Sequence, residues 1–239
     1  MAVPVRPFGQ TAADLDVAFA AAAPDEAATA LLAACTGCEA TAVRGWTLAR
    51  RLQALLAVRL ADEPGARVPA VLRCTACGEA FGLEFELAQC VGEVEDGPMP
   101  WTAPDGQALA LRLPTAADLQ GWRQAAVRDE RQLAATLLAP PVTALPEDWL
   151  APLAEALAER DPCTALQVPA PCPACGQPHS ADIDLEALLL ADFAARQRRL
   201  LDDVATLARA FHWSEAQILE LPAWRRAHYI ARIESGLVA

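Results

Sequence analysis

The chain contains no lysine and few aromatic residues. All 19 of its basic residues are arginine, and aromatic residues make up only 5% of the sequence. Against 31 acidic residues this leaves a net charge of −12 at pH 7. A chain this acidic repels a phosphate backbone unless its arginines cluster strongly, so binding to nucleic acid is disfavoured. We attribute the use of arginine alone, which accompanies an excess of alanine, to genomic coding bias.

Long apolar runs and a signal pattern are also missing. No stretch reaches the roughly 18 consecutive apolar residues that a membrane helix needs, so no membrane span is predicted. Residues 1–10 lack the charged-then-apolar pattern of an export signal. We therefore expect a cytoplasmic location. In that reducing compartment the eight cysteines are predicted to be free thiols or metal ligands rather than disulfides.

The familiar catalytic motifs are absent as well. The sequence has no glycine-rich phosphate loop, no G-x-S-x-G and no H-E-x-x-H motif, and its three histidines are far apart. A redox role for a C-x-x-C pair needs that pair near a helix N-terminus, whereas two such pairs in this chain lie between predicted strands. The chain is therefore predicted not to be an enzyme.

Two similar cysteine motifs stand about a hundred residues apart. One is Cys74-Thr75-Ala76-Cys77-Gly78 and the other is Cys172-Pro173-Ala174-Cys175-Gly176, and an alternating, strand-like run follows each. Zn²⁺ prefers four ligands in a tetrahedron, and two C-x-x-C pairs supply four thiolates. The glycine after each pair allows the left-handed backbone that closes the loop. The predicted metal ligands are Cys74, Cys77, Cys172 and Cys175, and the predicted cofactor is a structural zinc.

Other ligand sets remain open. Cys35 and Cys38 would form a shorter loop with Cys74 and Cys77, but doubling a loop costs only about 0.6 kcal/mol. Cys35-Thr36-Gly37-Cys38 follows a helical pattern and has no strand after it, which favours the first set. A further alternative is that all the cysteines are unmetallated thiols.

The remaining cysteines and histidines have weaker signals. Cys90 and Cys163 lack spacing partners and are predicted to be small buried apolar residues, although Cys163, close before the second motif, is an alternative ligand. His179 is a second alternative ligand, but a turn histidine without a metal is the preferred interpretation. His212 and His228 are expected at helix surfaces or boundaries.

Hydrophobic periodicity predicts an α+β fold. Two cysteine-loop β-hairpins form a zinc-ribbon-like unit that mostly helical segments surround, and S/T-x-x-D/E/Q capping boxes open helices at Thr11, Thr115 and Ser214. The helix after Thr115 is expected to run through about Leu138, and residues 91–106 are expected to form a loop. The predicted segments are an N-terminal helical region at 1–66, the first zinc-knuckle hairpin and strand at 67–114, a helical insertion at 115–162, the second zinc-knuckle hairpin at 163–190 and C-terminal helices at 191–239.

A group of aromatic and arginine residues lies near the C-terminus: Trp213, Trp224, Arg225, Arg226 and Tyr229. Interfaces are enriched in these residue types. Arg225 and Tyr229 are i and i+4 and share one helix face, which suggests a docking surface for a partner. The alternative is that the aromatic residues complete a local core while the arginines are solvated.

The C-terminal third resembles a known family. The motif at 172–176 is followed by Asp182-Ile183-Asp184-Leu185, by a helical run from Leu200 to Leu219, and by Leu221-Pro222-Ala223-Trp224-Arg225-Arg226 with Tyr229. This pattern resembles the T4-type baseplate hub assembly chaperone, or baseplate protein, family of contractile phage tails and phage-tail-like injection systems. The run from Leu111 to Leu119 is similar to the "PPTGADL" stretch of that family, with Leu113 in place of the first Pro and Ala116 in place of Gly.

The resemblance covers most of residues 70–239 and implies a non-enzymatic assembly role. The implied partners are baseplate or hub proteins of a contractile tail. The acidic charge disfavours nucleic acid as a partner, and the lack of long apolar runs predicts no membrane contact. The implied location is the cytoplasm of a bacterial host cell, and the alternative location is the assembled tail particle. The alternative function is a zinc-ribbon nucleic-acid-binding or regulatory protein. The Cys35/Cys38 pair departs from the family pattern.

Overall fold

The computed structural model describes residues 3–140, 142–164, 166–178 and 180–236. Their helices are α1 (Ala12–Leu15), α2 (Pro24–Thr36), α3 (Ala40–Arg44), α4 (Leu48–Asp62), α5 (Ala116–Gln124), α6 (Glu130–Ala135), α7 (Glu147–Arg160), α8 (Leu185–Phe211), α9 (Glu215–Leu219) and α10 (Ala223–Glu234), with a short 3-10 helix at Leu87–Cys90. The strands are β1 (Arg67–Arg73), β2 (Ala80–Glu86), β3 (Met99–Thr102), β4 (Ala108–Leu111), β5 (Leu138–Ala139), β6 (Leu166–Pro169) and β7 (Ser180–Ile183).

The strands form three small antiparallel sheets with orders β1-β2, β3-β4-β5 and β6-β7. Helices precede, separate and follow these sheets along the chain. The predicted α+β class is therefore confirmed. None of the helices in the described ranges is both long and apolar enough to cross a membrane.

Three clusters of buried side chains form the core. The first joins α2 and α4 to β1 and to the start of α8, where Leu31, Leu55 and Leu189 are fully buried. The second lies within the segment between β2 and β6, where the rings of Trp101 and Trp149 meet edge-on with centroids 5.7 Å apart. The third packs the end of α8 against α9 and α10. Because the second cluster draws only on residues 99–157, the segment between the two cysteine loops has its own core.

Three predicted capping boxes are present, at Thr11, Thr115 and Ser214. In the first, Asp14 is fully buried and accepts two hydrogen bonds of 2.8 Å from the guanidinium of Arg6. Burial raises the pKa of Asp14, but the hydrogen bonds from Arg6 and from backbone N–H groups outweigh this and lower it overall. Arg112 makes the same bidentate pair with Asp118 in the second box. The boxes at Thr11 and Thr115 thus also tie their helices to a preceding segment.

The structure corrects the helix predicted from Thr115 through about Leu138. That helix ends at Gln124, Ala126 adopts a left-handed φ of 52°, and a new helix begins after Asp129, whose side chain accepts a hydrogen bond from the N–H of Arg131. The residues after α6 then form β5, which pairs with β4. The predicted loop at 91–106 likewise contains β3. In both places pairing with β4 stabilises strands too short to show a periodic pattern.

A buried arginine connects three helices below the surface. Arg51 in α4 is fully buried, and its Nη2 donates to the carbonyl of Asp25 (3.0 Å) and to Oε1 of Glu186 (3.2 Å). Its Nε and Nη1 have no hydrogen-bond partner in the described part of the chain. Burial raises the pKa of Glu186, and the positive charge of Arg51 offsets this only in part. The carboxylate of Asp25 pairs in turn with Arg123 of α5.

Candidate metal centre

The first cysteine pair lies in the turn between β1 and β2. The last paired residues of these strands are Arg73 and Ala80, so Cys74 and Cys77 occupy the connection. The N–H of Cys74 donates to the carbonyl of Glu79 (2.8 Å), and the N–H of Gly78 donates to the carbonyl of Cys74 (2.9 Å). These bonds fold the connection into a tight loop with both sulfurs on its inner side.

The second pair lies in an equivalent turn between β6 and β7. The N–H of Cys172 donates to the carbonyl of Gln177 (3.1 Å), and the N–H of Gly176 donates to the carbonyl of Cys172 (2.9 Å). Gly78 and Gly176 have φ values of 76° and 70°, in the left-handed region that a residue with a Cβ rarely adopts. The two loops therefore share one backbone design, although about a hundred residues separate them.

The structure brings the four predicted cysteines together. The sulfurs of Cys74, Cys77, Cys172 and Cys175 all lie within 4.8 Å of one another, and they form the only group of three or more such ligands found in the described ranges. The Sγ atoms of Cys74 and Cys175 are 3.8 Å apart, and those of Cys77 and Cys172 are 3.7 Å apart. Four thiolates at about 2.3 Å from a tetrahedral zinc stand about 3.8 Å from each other. The donor set and its spacing therefore fit a tetrahedral metal ion.

The two cysteine loops show the same pattern of burial. Cys74 and Cys172, the first cysteine of each loop, are each only 2% exposed, whereas Cys77 and Cys175 are exposed. Each loop thus contributes one buried and one exposed cysteine residue. A four-thiolate site of this kind leaves no open coordination position for a substrate.

The surroundings shift the pKa values of the two thiols of the first loop in opposite directions. Hydrogen bonds from the backbone N–H groups of Cys77 and Ala76 lower the pKa of the Cys74 thiol to about 7. The N–H of Glu79 lowers the pKa of Cys77, but the neighbouring sulfurs of Cys175 and Cys74 raise it overall to about 12. A first thiolate therefore makes ionisation of its neighbours costly, and a divalent cation among the sulfurs would remove that cost.

The other cysteines lie outside this cluster. Cys35 is buried in the first core, and desolvation raises the pKa of its thiol to about 12. Cys38 packs half-buried against the same core. The alternative set that combined Cys35 and Cys38 with the first loop is therefore not the set that the structure assembles.

Cys90 and Cys163 are half-buried against the first core, as their apolar interpretation predicted. The Sγ of Cys163 donates to the carbonyl of Cys90 at 3.5 Å. Cys163 is not one of the four clustered cysteines, so the structure does not bring it to the candidate metal site. His179 lies outside the described residues. His212 is the left-handed residue at the end of α8, and both it and His228 are exposed.

The structure divides the aromatic–arginine group near the C-terminus. The rings of Trp213 and Tyr229 pack against Phe211 in the third core. Arg226 is buried and donates to the carbonyl of Leu221 at 2.6 Å. Tyr229 is half-buried and packs against the third core, and the docking face that it would share with Arg225 stays a prediction.

Trp224 and Arg225 remain on the surface. Trp224 is 68% exposed, and the guanidinium of Arg225 lies 5.5 Å from the centre of its ring. Tryptophan and arginine are among the residue types enriched at protein interfaces. We refer to these two residues as the Trp224–Arg225 pair.

Sequence reasoning missed the buried Arg51. Its position offered a signal, because Arg51 lies three residues after Leu48 and four before Leu55, on the apolar face of α4. An arginine at such a position is either at the edge of the core or held by a buried carboxylate. The partner, Glu186, is 135 residues away in sequence, and no local pattern indicates it.

Comparison with protein-family models, with curated proteins and with solved structures finds no match to this chain.

Proposed function

We propose that the chain is a non-enzymatic assembly factor or structural component of the baseplate of a contractile phage tail or phage-tail-like injection system, and that a structural zinc joins its two cysteine loops. The observation that carries the zinc is the spacing of the four sulfurs. The observation that carries the baseplate role is the sequence resemblance, which is most specific over residues 172–229.

The zinc proposal rests on donor type and spacing together. Four thiolates are the preferred ligands of structural zinc, and the pairs at 3.7 and 3.8 Å match the edge of the tetrahedron that this ion favours. In this proposal the two loops form a zinc-ribbon-like unit around the ion. Zinc bound there supplies a cross-link rather than chemistry, and Cys74, Cys77, Cys172 and Cys175 hold it.

The baseplate proposal combines the resemblance with the surface. The most specific part of the resembling segment begins in the second cysteine loop, continues along α8 and ends in α10. The Trp224–Arg225 pair lies within it and presents residue types that often dominate binding energy. With a net charge of −12 the chain as a whole suits protein partners better than nucleic acid.

Deletion of the gene in a host that makes such tails tests the function. The expected result is that sheath and tube proteins are produced while complete baseplates are missing from particles viewed by electron microscopy, and that a plasmid copy restores them. Normal particles in the deletion strain would contradict the baseplate role. Salt-sensitive retention of DNA or RNA on a filter would instead favour the zinc-ribbon nucleic-acid binder.

The partner surface is tested by changing Trp224→Ala together with Arg225→Glu. Truncating an aromatic anchor typically costs about 2 kcal/mol or more of binding free energy, a loss of about thirtyfold in affinity. The double variant should therefore fail to co-purify with the baseplate protein that the wild type retains. Both side chains are exposed, so its melting temperature should change by no more than about 2 °C.

Arg232→Glu is the matched control, because Arg232 is an exposed arginine of the same helix. That variant should retain the partner. Retention by the Trp224–Arg225 variant as well would place the interface elsewhere. Arg226 is unsuitable for this test because its side chain is buried and its replacement would unfold the third core.

A further inference from the structure

We propose that a groove at the base of the β6–β7 hairpin binds a short segment of a partner protein that presents apolar side chains next to arginine or lysine. The groove has a volume of about 780 Å³ and lies between the start of α2, α4, α5 and the start of α8. Binding sites for ligands usually have volumes of about 300–1,000 Å³. Leu166 and Ile183, which pair at the base of the hairpin, line it, whereas the cysteine loop is at the other end.

The floor of the groove is apolar and accessible. Leu48, Leu119 and Leu166 come from three different elements and are each only half-buried. Beneath them Leu52 and Leu190 are buried, so the floor is backed by the first core. Apolar side chains placed there would remove further leucine surface from water, at about 25 cal/mol for each Å².

The rim of the groove is acidic. Four carboxylates and one guanidinium line it: Asp25, Asp182, Asp184, Glu186 and Arg123. Arg123 pairs with Asp25, and Arg51 pairs with Glu186 from below. Asp182 and Asp184 are exposed, and the ion pairs of the described residues include neither of them. Among the described residues, their carboxylate oxygens accept hydrogen bonds from two uncharged donors, the side-chain amide of Gln167 and the N–H of Ala187.

An apolar floor with an acidic rim selects the occupant by charge. A second copy of this chain carries the same net charge of −12, and nucleic acid is polyanionic, so both are repelled. A partner segment with apolar residues at i, i+3 or i+4 and i+7 would fill the floor in the manner of a helix in a groove. Arginine or lysine beside those residues would meet Asp182 and Asp184, which favours correct partners over acidic ones.

A display library of random peptides of about 16 residues, roughly four helical turns, tests the groove against the full-length protein. The selected peptides should combine spaced apolar residues with arginine or lysine. Binding of a labelled selected peptide should weaken at least tenfold in Leu119→Ser with Leu166→Ser. Asp182→Arg changes an exposed side chain and should weaken peptide binding about tenfold at low salt. This second variant tests the groove even if the leucine variant does not fold.

Matched controls come from the same chain. Leu201→Ser changes an exposed leucine of α8 outside the groove, and Glu220→Arg reverses an exposed charge beyond α9. Both should bind the peptide as the wild type does. Selected peptides without a basic excess, or equal binding to the groove variants, would overturn the inference. So would a dimer in sedimentation that the leucine variant loses, because the occupant would then be a second copy.

The proposal for the groove and the proposal for the baseplate role can be refuted independently of each other. Peptide binding at the groove together with normal tails in the deletion strain leaves this inference standing and removes only the proposed function.

Discussion

Replacing Cys74 and Cys172 together with serine is expected to abolish zinc binding and to lower the melting temperature by about 10–20 °C. The wild type should carry close to one zinc per chain. The neighbouring sulfurs of the two loops belong to residues 95 and 101 positions apart, and a cross-link that closes a loop of about a hundred residues is worth about 4.7 kcal/mol in the chain-entropy description. In a chain of this size each kcal/mol corresponds to about 2–4 °C.

Metal analysis of the purified protein and thermal unfolding with and without a chelator measure this prediction. Chelation should reproduce the effect of the double substitution, because the binding free energy of a structural zinc is also folding free energy. Cys90→Ser with Cys163→Ser is the matched control, since both residues are half-buried outside the cluster. A metal-free wild type that melts at the same temperature would refute the structural zinc. A content near two zinc ions per chain would require a second site.

Glu186→Ala is expected to destabilise the protein by about 3–5 kcal/mol, the second largest effect. The substitution leaves the fully buried guanidinium of Arg51 without its charged partner, and a buried charge that loses its partner costs about that much. Only the carbonyl of Asp25 would still accept a hydrogen bond from it. Urea unfolding monitored by circular dichroism gives the change in free energy.

A double variant separates the loss of a charge partner from the loss of packing. Arg51→Met with Glu186→Leu removes both charges and should recover most of the lost stability, because apolar residues often replace a buried ion pair without cost. Glu155→Ala, which truncates an exposed glutamate of α7, should be nearly neutral. If Glu186→Ala is as mild as Glu155→Ala, water reaches Arg51 and the pair contributes little.

Local signals in the sequence account for most of the helices. Pro24 begins α2, Pro146 precedes α7, and the serine box before α9 is formed as predicted. A cap or an N-terminal proline acts within one turn, so its outcome depends little on the rest of the fold. The class of the fold followed from the same local patterns.

The features that sequence reasoning missed depend on distant partners. The strands β3 and β5 contain four and two residues, too few for an alternating pattern, and they form because β4 lies between them. The helix break at Ala126 was not predicted, because residues 122–129 contain neither glycine nor proline. The cluster of four sulfurs was predictable because both loops carry the same motif, whereas the pairing of Arg51 with Glu186 has no such repeat.

The separate core of the segment between the cysteine loops has a consequence for synthesis on the ribosome. Residues 78–171 must be made after the first loop and before the second. At about 5–20 residues per second this interval lasts roughly 5–20 s. During that time the nascent chain contains only Cys74 and Cys77 of the four clustered cysteines, which is half of the candidate metal site. Because the second cluster draws its side chains from residues 99–157 alone, that segment can fold while the first loop waits. A single ion can be bound by all four sulfurs only after the second loop has been made.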